Sequence, residues 1–384
     1  MTLTQNSSAT FSADINVNLM NLTGEQTASS TTTNIHRLIW PSLFTGSIIA
    51  ANVLTLAAFS VEKRLRTYNN YFIINLSILD LLVGLRLIGS VVHTYIGYYP
   101  LNQSFCKILS GIGQAVTNAS NFVVVIICVD RHHATYDPIN HFTTRSKRKA
   151  IFLNSLAWLV AFGFWLIYVT AWEFIVDFDN GRHCIRRYTH LPGASVVFAI
   201  VMFYMPFVVI AVLYLRILRK IRQTRNRKNI ERKFVFDTGG SKTQAETMAN
   251  ALKDTASSTL SSDDTRISTQ FAEDKSNQRG SLKKVKHEAA AEMRKATRTL
   301  LFIVLSFIVS WLPNGIIQLL FAVEPVLINP GLPTSAYLFF SWMAFGNSLL
   351  NPISYAITQP LLRATLRNML CCCFKRDPSL TVIV

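Results

Sequence analysis

The sequence has few charged residues for its length of 384 residues. Charged side chains make up 15% of the chain, whereas a soluble domain carries roughly 25%. Hydrophobic residues account for 50% of the chain. This composition excludes a soluble enzyme, a fibrous protein and a small disulfide scaffold.

Charge is also missing from long continuous stretches. About 20 apolar residues are enough to span a bilayer as a helix. The stretches that contain no Asp, Glu, Lys or Arg are Leu38–Val61, Ile108–Val129, Ala150–Trp172, Tyr188–Leu215, Thr299–Val323 and Pro325–Leu362. One more stretch, from about Tyr71 to His93, is apolar except for Asp80 and Arg86. The sequence therefore predicts an all-α membrane protein with a seven-transmembrane helix bundle over residues 38–358.

The net charge of +17 lies mainly between these stretches. Cations concentrate in short segments such as Lys63–Arg66 and Arg145–Lys149. Cytoplasmic loops of membrane proteins carry such an excess, so topology explains the charge and no nucleic-acid partner is expected. The charge pattern predicts a multi-pass plasma-membrane protein with an extracellular N-terminus and a cytoplasmic C-terminus.

Residues 1–37 form a tail rich in Ser, Thr and Asn. The tail lacks a basic segment followed by an apolar one, so we expect no cleaved signal peptide and a disordered extracellular segment. Glycosylation motifs begin at Asn6, Asn21 and Asn102, all on the predicted outer side. Such triplets also arise by chance, so their common side supports the orientation only modestly.

The long third inner loop, residues 219–298, is rich in Ser, Thr, Lys and Asp, and its middle is predicted to be disordered. Its two ends carry cation clusters that can extend the flanking helices into the cytoplasm. These clusters fit either a partner-docking surface or attraction to anionic lipids.

The last domain, residues 359–384, begins with apolar residues at helical spacing, which predicts a short interfacial helix. Cys371, Cys372 and Cys373 follow directly and are candidates for palmitoylation, the alternative being reduced structural cysteines. Cys106 and Cys184 both lie at the predicted outer rim, where a disulfide is the natural pairing.

Two ionisable residues lie inside the second predicted span, and such residues are functional candidates by default. Polar residues at comparable depth in other spans are Asn52, Ser120, Asn347, Ser348 and Asn351. With Asp80 they fit either a site for a sodium ion or an interhelical hydrogen-bond network. Arg86 follows Asp80 by six residues, about 120° around the helix, so the two cannot stack on one face. Arg86 is expected either to meet a carboxylate or to extend toward lipid headgroups.

The chain resembles the rhodopsin-like (class A) G-protein-coupled receptors across nearly all its spans. The matching residues are Asn52, the segment Asn75–Asp80, Cys106, the Asp130-Arg131-His132 triplet, Trp158, Pro206, Tyr214, Phe307, Trp311, Pro313 and the segment Asn351–Tyr355. Within that family it is most similar to the muscarinic acetylcholine and histamine receptors. Any single motif is weak, but the whole ordered set is highly specific.

The resemblance implies a role for each matching residue. Coupling to a heterotrimeric G protein is implied for Asp130, Arg131, Tyr214, Asn351, Pro352 and Tyr355. A movable aromatic switch is implied for Phe307 and Trp311 with Pro313. An allosteric sodium ion is implied at Asp80, Ser120, Asn347 and Ser348. Receptor kinases, arrestin and membrane lipids are the further partners that it implies.

The departures from the family concern the ligand pocket, whose candidate residues are Arg86, Gly113, Gln114, Thr117, Phe198, Asn314, Gln318, Ser341 and Phe345. Amine receptors of this group carry an aspartate at the position of Gly113, where it pairs with the ligand ammonium. Their aromatic cage is also interrupted, because Gln114, Asn314 and Ser341 replace residues that are expected to be aromatic. Asn121 is unusual as well, since an apolar residue normally packs there.

The sequence thus predicts a receptor of the amine-receptor-like group that binds a small extracellular molecule and activates a G protein. The alternative is an orphan receptor with an acidic or neutral ligand, or with constitutive signalling. A transporter is disfavoured because no internal repeat is visible. A membrane hydrolase is disfavoured because the spans lack a His and carboxylate metal set.

Overall fold

The computed structural model describes residues 31–96, 103–175, 192–237, 295–320 and 334–372. Several expectations lie outside these residues: the glycosylation sites Asn6, Asn21 and Asn102, the cysteines Cys184 and Cys373, and the middle of the third inner loop. Throughout the described ranges the regular structure is helical. The predicted all-α class is therefore confirmed for this part of the chain.

The helices follow the predicted apolar stretches. In chain order they are α1 (Thr31–Val61), α2 (Tyr68–Ile96), α3 (Gln103–Tyr136), α4 (Pro138–Thr144), α5 (Lys147–Ile175), α6 (Pro192–Ala199), α7 (Met205–Asp237), α8 (Lys295–Leu320), α9 (Thr334–Thr358) and α10 (Pro360–Cys372). A π-helical turn, Ile200–Tyr204, joins α6 to α7 into one continuous helix.

Six helical segments of the described residues are long and apolar enough to cross a membrane. They are Leu38–Val61, Tyr68–Ile96, Phe105–Tyr136, Lys147–Val169, Gly193–Arg227 and Lys295–Leu320. The further helix α9 occupies the last predicted stretch. Large apolar side chains such as Leu43, Leu159 and Ile167 are about seven-tenths exposed, at 67%, 71% and 72%. Exposed apolar patches of this kind fit helices that face lipid.

Helix α1 begins at Thr31, seven residues before the first residue of the predicted span. It ends in a tight connection to α2. Arg66 donates from Nε to the carbonyl of Phe59 at 2.9 Å and from Nη2 to the carbonyl of Ser60 at 2.7 Å. These bonds pair carbonyl groups at the end of α1 that have no partner within the helix. Glu62 accepts from Arg64 beside them, and these hydrogen bonds lower the pKa of Glu62 to about 2.

The chain divides into two compact units. The larger comprises residues 1–130, 145–211 and 295–384. Within it α2 packs against α1, α5 and α9, while α10 packs against α1 and α9. Its fully buried large side chains include Phe72, Trp165, Phe307 and Tyr355. Helix α10 buries Leu362, as its apolar spacing predicted.

The smaller unit comprises residues 131–144 and 212–294. Its short helix α4 was not predicted. Pro138 begins that helix and the Asp137 carboxylate accepts from the Asn140 amide at 3.3 Å, which is a typical helix start. In the same unit the ring of Tyr136 stacks on His132, with centroids 4.3 Å apart, and Lys220 Nζ lies 5.4 Å from the Tyr136 ring.

Candidate functional site

Asp80 is fully buried on α2 and is surrounded by neutral donors. Its Oδ1 accepts from the hydroxyl of Ser348 at 2.8 Å and from the hydroxyl of Ser120 at 3.3 Å. Its Oδ2 accepts from Nδ2 of Asn351 at 2.8 Å. Three helices, α2, α3 and α9, thus converge on one carboxylate, as the common depth of these residues predicted.

Further polar groups surround this carboxylate. Asn52 on α1 donates to the carbonyl of Ser348 at 3.0 Å, which ties α1 to the same residue. The Oδ1 atoms of Asn347 and Asn351 are buried and accept no hydrogen bond from the described residues. A buried oxygen without a donor is costly, and carboxylate and amide oxygens are ligands that hard cations prefer. The set of oxygen atoms therefore fits a small cation. It includes Asn351, which the sequence placed both at the depth of Asp80 and among the G-protein-coupling residues.

Arg86 lies on α2 against α3 and α9. Its Cζ is 5.2 Å from the centre of the Phe345 ring. A Cβ atom added to Gly113 would lie 2.7 Å from Nη1 and 3.1 Å from Nε of Arg86, and closer still to its Cδ. The Arg86 side chain thus fills the volume that any side chain at position 113 would need. As the helical angle required, the side-chain hydrogen bonds of Asp80 go to other helices and not to Arg86.

The remaining pocket candidates vary in burial. Gln114 and Thr117 are buried on α3, and the Thr117 hydroxyl donates to the carbonyl of Gly113 at 2.8 Å. Asn314 on α8 and Ser341 on α9 have buried oxygen atoms without a hydrogen-bond partner among the described residues. Such groups are available to a polar ligand.

A row of aromatic rings runs from α5 to α8. The ring of Trp165 lies 5.4 Å from that of Phe198, and Phe198 lies 5.8 Å from Phe203. Phe203 is 5.2 Å from Trp311, which is 6.3 Å from Phe307. The two predicted switch residues thus lie at the end of a continuous row of edge-on and tilted ring contacts. Gln318, further along α8, is only partly buried.

The π-helical turn Ile200–Tyr204 is held by α3. Asn121 donates to the carbonyl of Met202 at 3.0 Å, and Asn118 lies 3.4 Å from the carbonyl of Val201. A π-turn shifts the register of backbone hydrogen bonds, and these amides reach its carbonyls. The sequence marked Asn121 as unusual but carried no signal for the π-turn itself.

The residues assigned to G-protein coupling lie in both units. In the larger unit Asp130 accepts from the Tyr68 hydroxyl at 2.8 Å, and Tyr68 was not predicted as its partner. Tyr355 is fully buried and its hydroxyl has no hydrogen-bond partner within the described residues. In the smaller unit Arg131 is buried and Tyr214 is partly buried.

Helices α8 and α9 are linked by hydroxyl pairs. The Oγ atoms of Ser306 and Ser354 are 3.3 Å apart, and the Thr299 hydroxyl donates to that of Thr358 at 3.0 Å. Pro352 lies inside α9 between Asp80's partners and these pairs. Pro313 likewise lies within α8. Each proline removes one backbone hydrogen bond from a helix that is otherwise continuous.

Helix α2 is joined to α5 by three side chains. Trp158 Nε1 donates to Asn75 Oδ1 at 2.9 Å, and Asn75 donates to Asn154 Oδ1 at 3.2 Å. Asn154 in turn donates to the carbonyl of Tyr71 at 3.2 Å. The motifs of the sequence included Asn75 and Trp158, but they did not predict this contact.

Cys106 at the start of α3 is disulfide-bonded, whereas Cys128 and Cys371 are free. The predicted bond at Cys106 therefore exists, and its pairing with Cys184 stays a prediction. Across the described residues no group of three or more His, Cys, Asp or Glu side chains is placed to bind a metal ion.

Comparison with known proteins supports a receptor. Residues 51–355 match the family described as 7 transmembrane receptor (rhodopsin family). The muscarinic acetylcholine receptor M4 of Gallus gallus is 29% identical over 187 residues, which cover 47% of this chain and 38% of that receptor. The muscarinic acetylcholine receptor M2 of Gallus gallus is 23% identical over 428 residues, with 85% of this chain and 90% of that receptor covered.

A serotonin receptor is similarly related. The 5-hydroxytryptamine receptor 1A-alpha of Takifugu rubripes is 26% identical over 382 residues, covering 87% of this chain and 88% of that receptor. The chain thus spans less than half of the M4 receptor but about nine-tenths of the other two.

Proposed function

The chain belongs to the rhodopsin family of seven-transmembrane receptors, and on that premise we propose that it binds a small extracellular molecule and activates a heterotrimeric G protein. The family is one of receptors rather than enzymes. The observation that carries the proposal is the match over residues 51–355, which contains Asp130, Arg131 and Tyr355. We place the N-terminus outside the cell and the C-terminus in the cytoplasm of a seven-helix bundle in the plasma membrane, because cations concentrate in the segments assigned to the inner side.

The mechanism is a shift between two pre-existing arrangements of the helices. A ligand that binds one arrangement more tightly raises its population. Trp311 and Phe307 end an aromatic row on α8, and Pro313 weakens that helix locally. Rearrangement of this row lets α8 move at its inner end. Arg131 is proposed to contact the G protein.

The C-terminal segment is proposed to attach to the membrane and to take part in the binding of receptor kinases and arrestin. Helix α10 buries Leu362 and exposes Arg363 and Arg367, which suits an interface with anionic lipids. Palmitoylation of Cys371, Cys372 and Cys373 would anchor its end. Receptor kinases and arrestin are proposed as partners of the activated receptor on the same side.

We further propose that Asp80, Ser120, Asn347 and Ser348, with Asn351, hold an allosteric sodium ion. The Asp80 carboxylate is fully buried, and it accepts hydrogen bonds from the neutral side chains of Ser120, Ser348 and Asn351. A buried charge without a counter-charge costs several kcal/mol, as an order of magnitude. The sodium ion would supply that positive charge, and Asn347 Oδ1 offers it an unused oxygen.

Nucleotide exchange tests the receptor function. The purified receptor is reconstituted in lipid discs with each class of G protein, and GDP release is measured without ligand. We expect exchange by the wild type above that of Arg131→Ala. His133→Ala is the matched control, because His133 lies on the same helix end but is exposed. Equal exchange by wild type and Arg131→Ala with every G protein would contradict the proposal.

A further inference from the structure

The side chain that lies beside Gly113 is cationic, whereas amine receptors carry an aspartate at the position of Gly113. Asp80 and Asp130 are the acidic residues of the candidate membrane segments and α9. Asp80 lies six residues before Arg86, about 9 Å along the helix axis. Asp130 follows Gly113 by 17 residues, about 25 Å along α3. Neither carboxylate is near Gly113, so these segments offer no anion to an ammonium group bound there.

A cation occupies this position instead. The guanidinium of Arg86 lies directly against α3 at Gly113, with Nη1 and Nε at 2.7 and 3.1 Å from where a Cβ would stand. Glycine at 113 therefore makes room for the arginine, since even an alanine methyl would displace it. The size of the arginine side chain on α2 thus matches the space that glycine leaves on α3.

The contact with Phe345 orients this cation. Arg86 Cζ lies 5.2 Å from the centre of the ring, within the range of a cation–π interaction. Stacking uses the flat face of a guanidinium, whereas its N–H donors point outward in the plane and can bind a carboxylate in bidentate geometry. Arginine held in this way is suited to recognise a planar anion.

One polar group, Ser341, lies within about one helical turn of Phe345. Ser341 is four residues before Phe345 and so lies on the same face of α9. Its hydroxyl is buried without a hydrogen-bond partner in the described part of the chain, as is Asn314 Oδ1 on α8. Hydroxyl donors near an arginine add orientation to the binding of an acid.

We propose that the ligand of this receptor carries a carboxylate, which is bound by the Arg86 guanidinium that Gly113 accommodates. This inference rests on the proposed receptor function and names its ligand class. It separates the chain from its muscarinic and serotonin relatives, since the charge of the anchoring residue is opposite to that of an amine site.

The test compares acids and amines of matched skeleton. The probes are acetate, hexanoate and 3-phenylpropionate against ethylamine, hexylamine and 3-phenylpropylamine, each at millimolar concentrations. Thermal unfolding of the purified receptor measures binding, and GDP release from the G protein measures signalling. We expect at least one carboxylate to raise the Tm of the wild type and to change exchange, and the amines to do neither.

Variants of Arg86 and Gly113 test whether the response to carboxylates depends on these two residues. Arg86→Gln is expected to weaken the half-maximal effect of the active carboxylate about tenfold or more, because a charge-assisted hydrogen bond is lost. Gly113→Ala keeps the charge but displaces the guanidinium, so it is expected to weaken the effect as well. Ile88→Ala is the control, since Ile88 is exposed on the same helix. The double variant Arg86→Gln with Gly113→Asp is expected to shift the response from acids to amines.

The possible outcomes are distinct. The proposal is overturned if no carboxylate acts, if amines act on the wild type as well as acids do, or if Arg86→Gln and Gly113→Ala both respond like Ile88→Ala. Ligand-independent exchange that depends on Arg131 would then still support the receptor function. A carboxylate that raises the Tm through Arg86 without any G-protein exchange would support the acid site and contradict the signalling function instead.

Discussion

Replacing Asp80 by asparagine tests the sodium site most directly. The wild-type carboxylate accepts hydrogen bonds from two serines and from Asn351, all neutral. Asp80→Asn removes the negative charge while conserving shape, so the receptor should lose its response to sodium. Because the isosteric change keeps most of the packing, folding should be retained.

The expected size of the sodium-dependent Tm shift follows from the stabilisation of a folded state by a ligand that binds it. A ligand that binds only the folded state at ten times its Kd stabilises that state by about 1.4 kcal/mol. For a chain of 384 residues, 1 kcal/mol shifts the Tm by about 1–2 °C, so sodium should raise the Tm of the wild type by about 1.5–3 °C. The shift for Asp80→Asn should be close to zero.

The assay is thermal unfolding in detergent with sodium chloride, potassium chloride or choline chloride at equal ionic strength. Asn347→Ala should reduce the sodium shift, since it removes an unused buried oxygen. Ser47→Ala is the control, because its hydroxyl is exposed and bonds only within α1. The sodium site is refuted if potassium stabilises the wild type equally, or if Asp80→Asn keeps the full shift. The carboxylate would then belong to a hydrogen-bond network alone.

Three further outcomes are expected. Trp158→Phe removes the 2.9 Å hydrogen bond that joins α5 to α2 and should lower the free energy of unfolding by about 0.5–2 kcal/mol, measured as a lower Tm in detergent; an unchanged Tm would show that the contact contributes nothing. Asn121→Leu leaves the carbonyl of Met202 in the π-turn without its donor and should cost about 1 kcal/mol by the same measurement, whereas a gain in stability would mean that the buried amide oxygen dominates. Non-reducing peptide mapping should recover Cys106 joined to Cys184; recovery of Cys184 as a free thiol would contradict that pairing.

Much of the architecture could be predicted from the sequence because the bilayer constrains it strongly. Long charge-free stretches must form helices, since no water is present in the membrane to pair their backbone groups. The same reasoning located Asp80 as a functional candidate and placed Ser120 and Ser348 beside it, since residues at one depth in a helix bundle meet. The amphipathic spacing after Pro360 likewise predicted α10.

Side-chain contacts across helices depended on the tertiary structure. Tyr68 donates to Asp130, a contact that the sequence did not predict, because helix rotation and close packing set that distance and sequence spacing does not. The π-turn at Ile200–Tyr204 has no periodic signal, since one extra residue in a turn leaves the apolar pattern nearly unchanged.

Arg86 and Gly113 depend on both the sequence and the tertiary structure. The sequence by itself determined that position 113 has no aspartate and that Arg86 lies inside an apolar span. Only the tertiary structure decided that Arg86 lies against Gly113. Residues 27 positions apart meet only when α2 packs at a particular rotation beside α3. That rotation places the arginine side chain in the volume that glycine leaves empty.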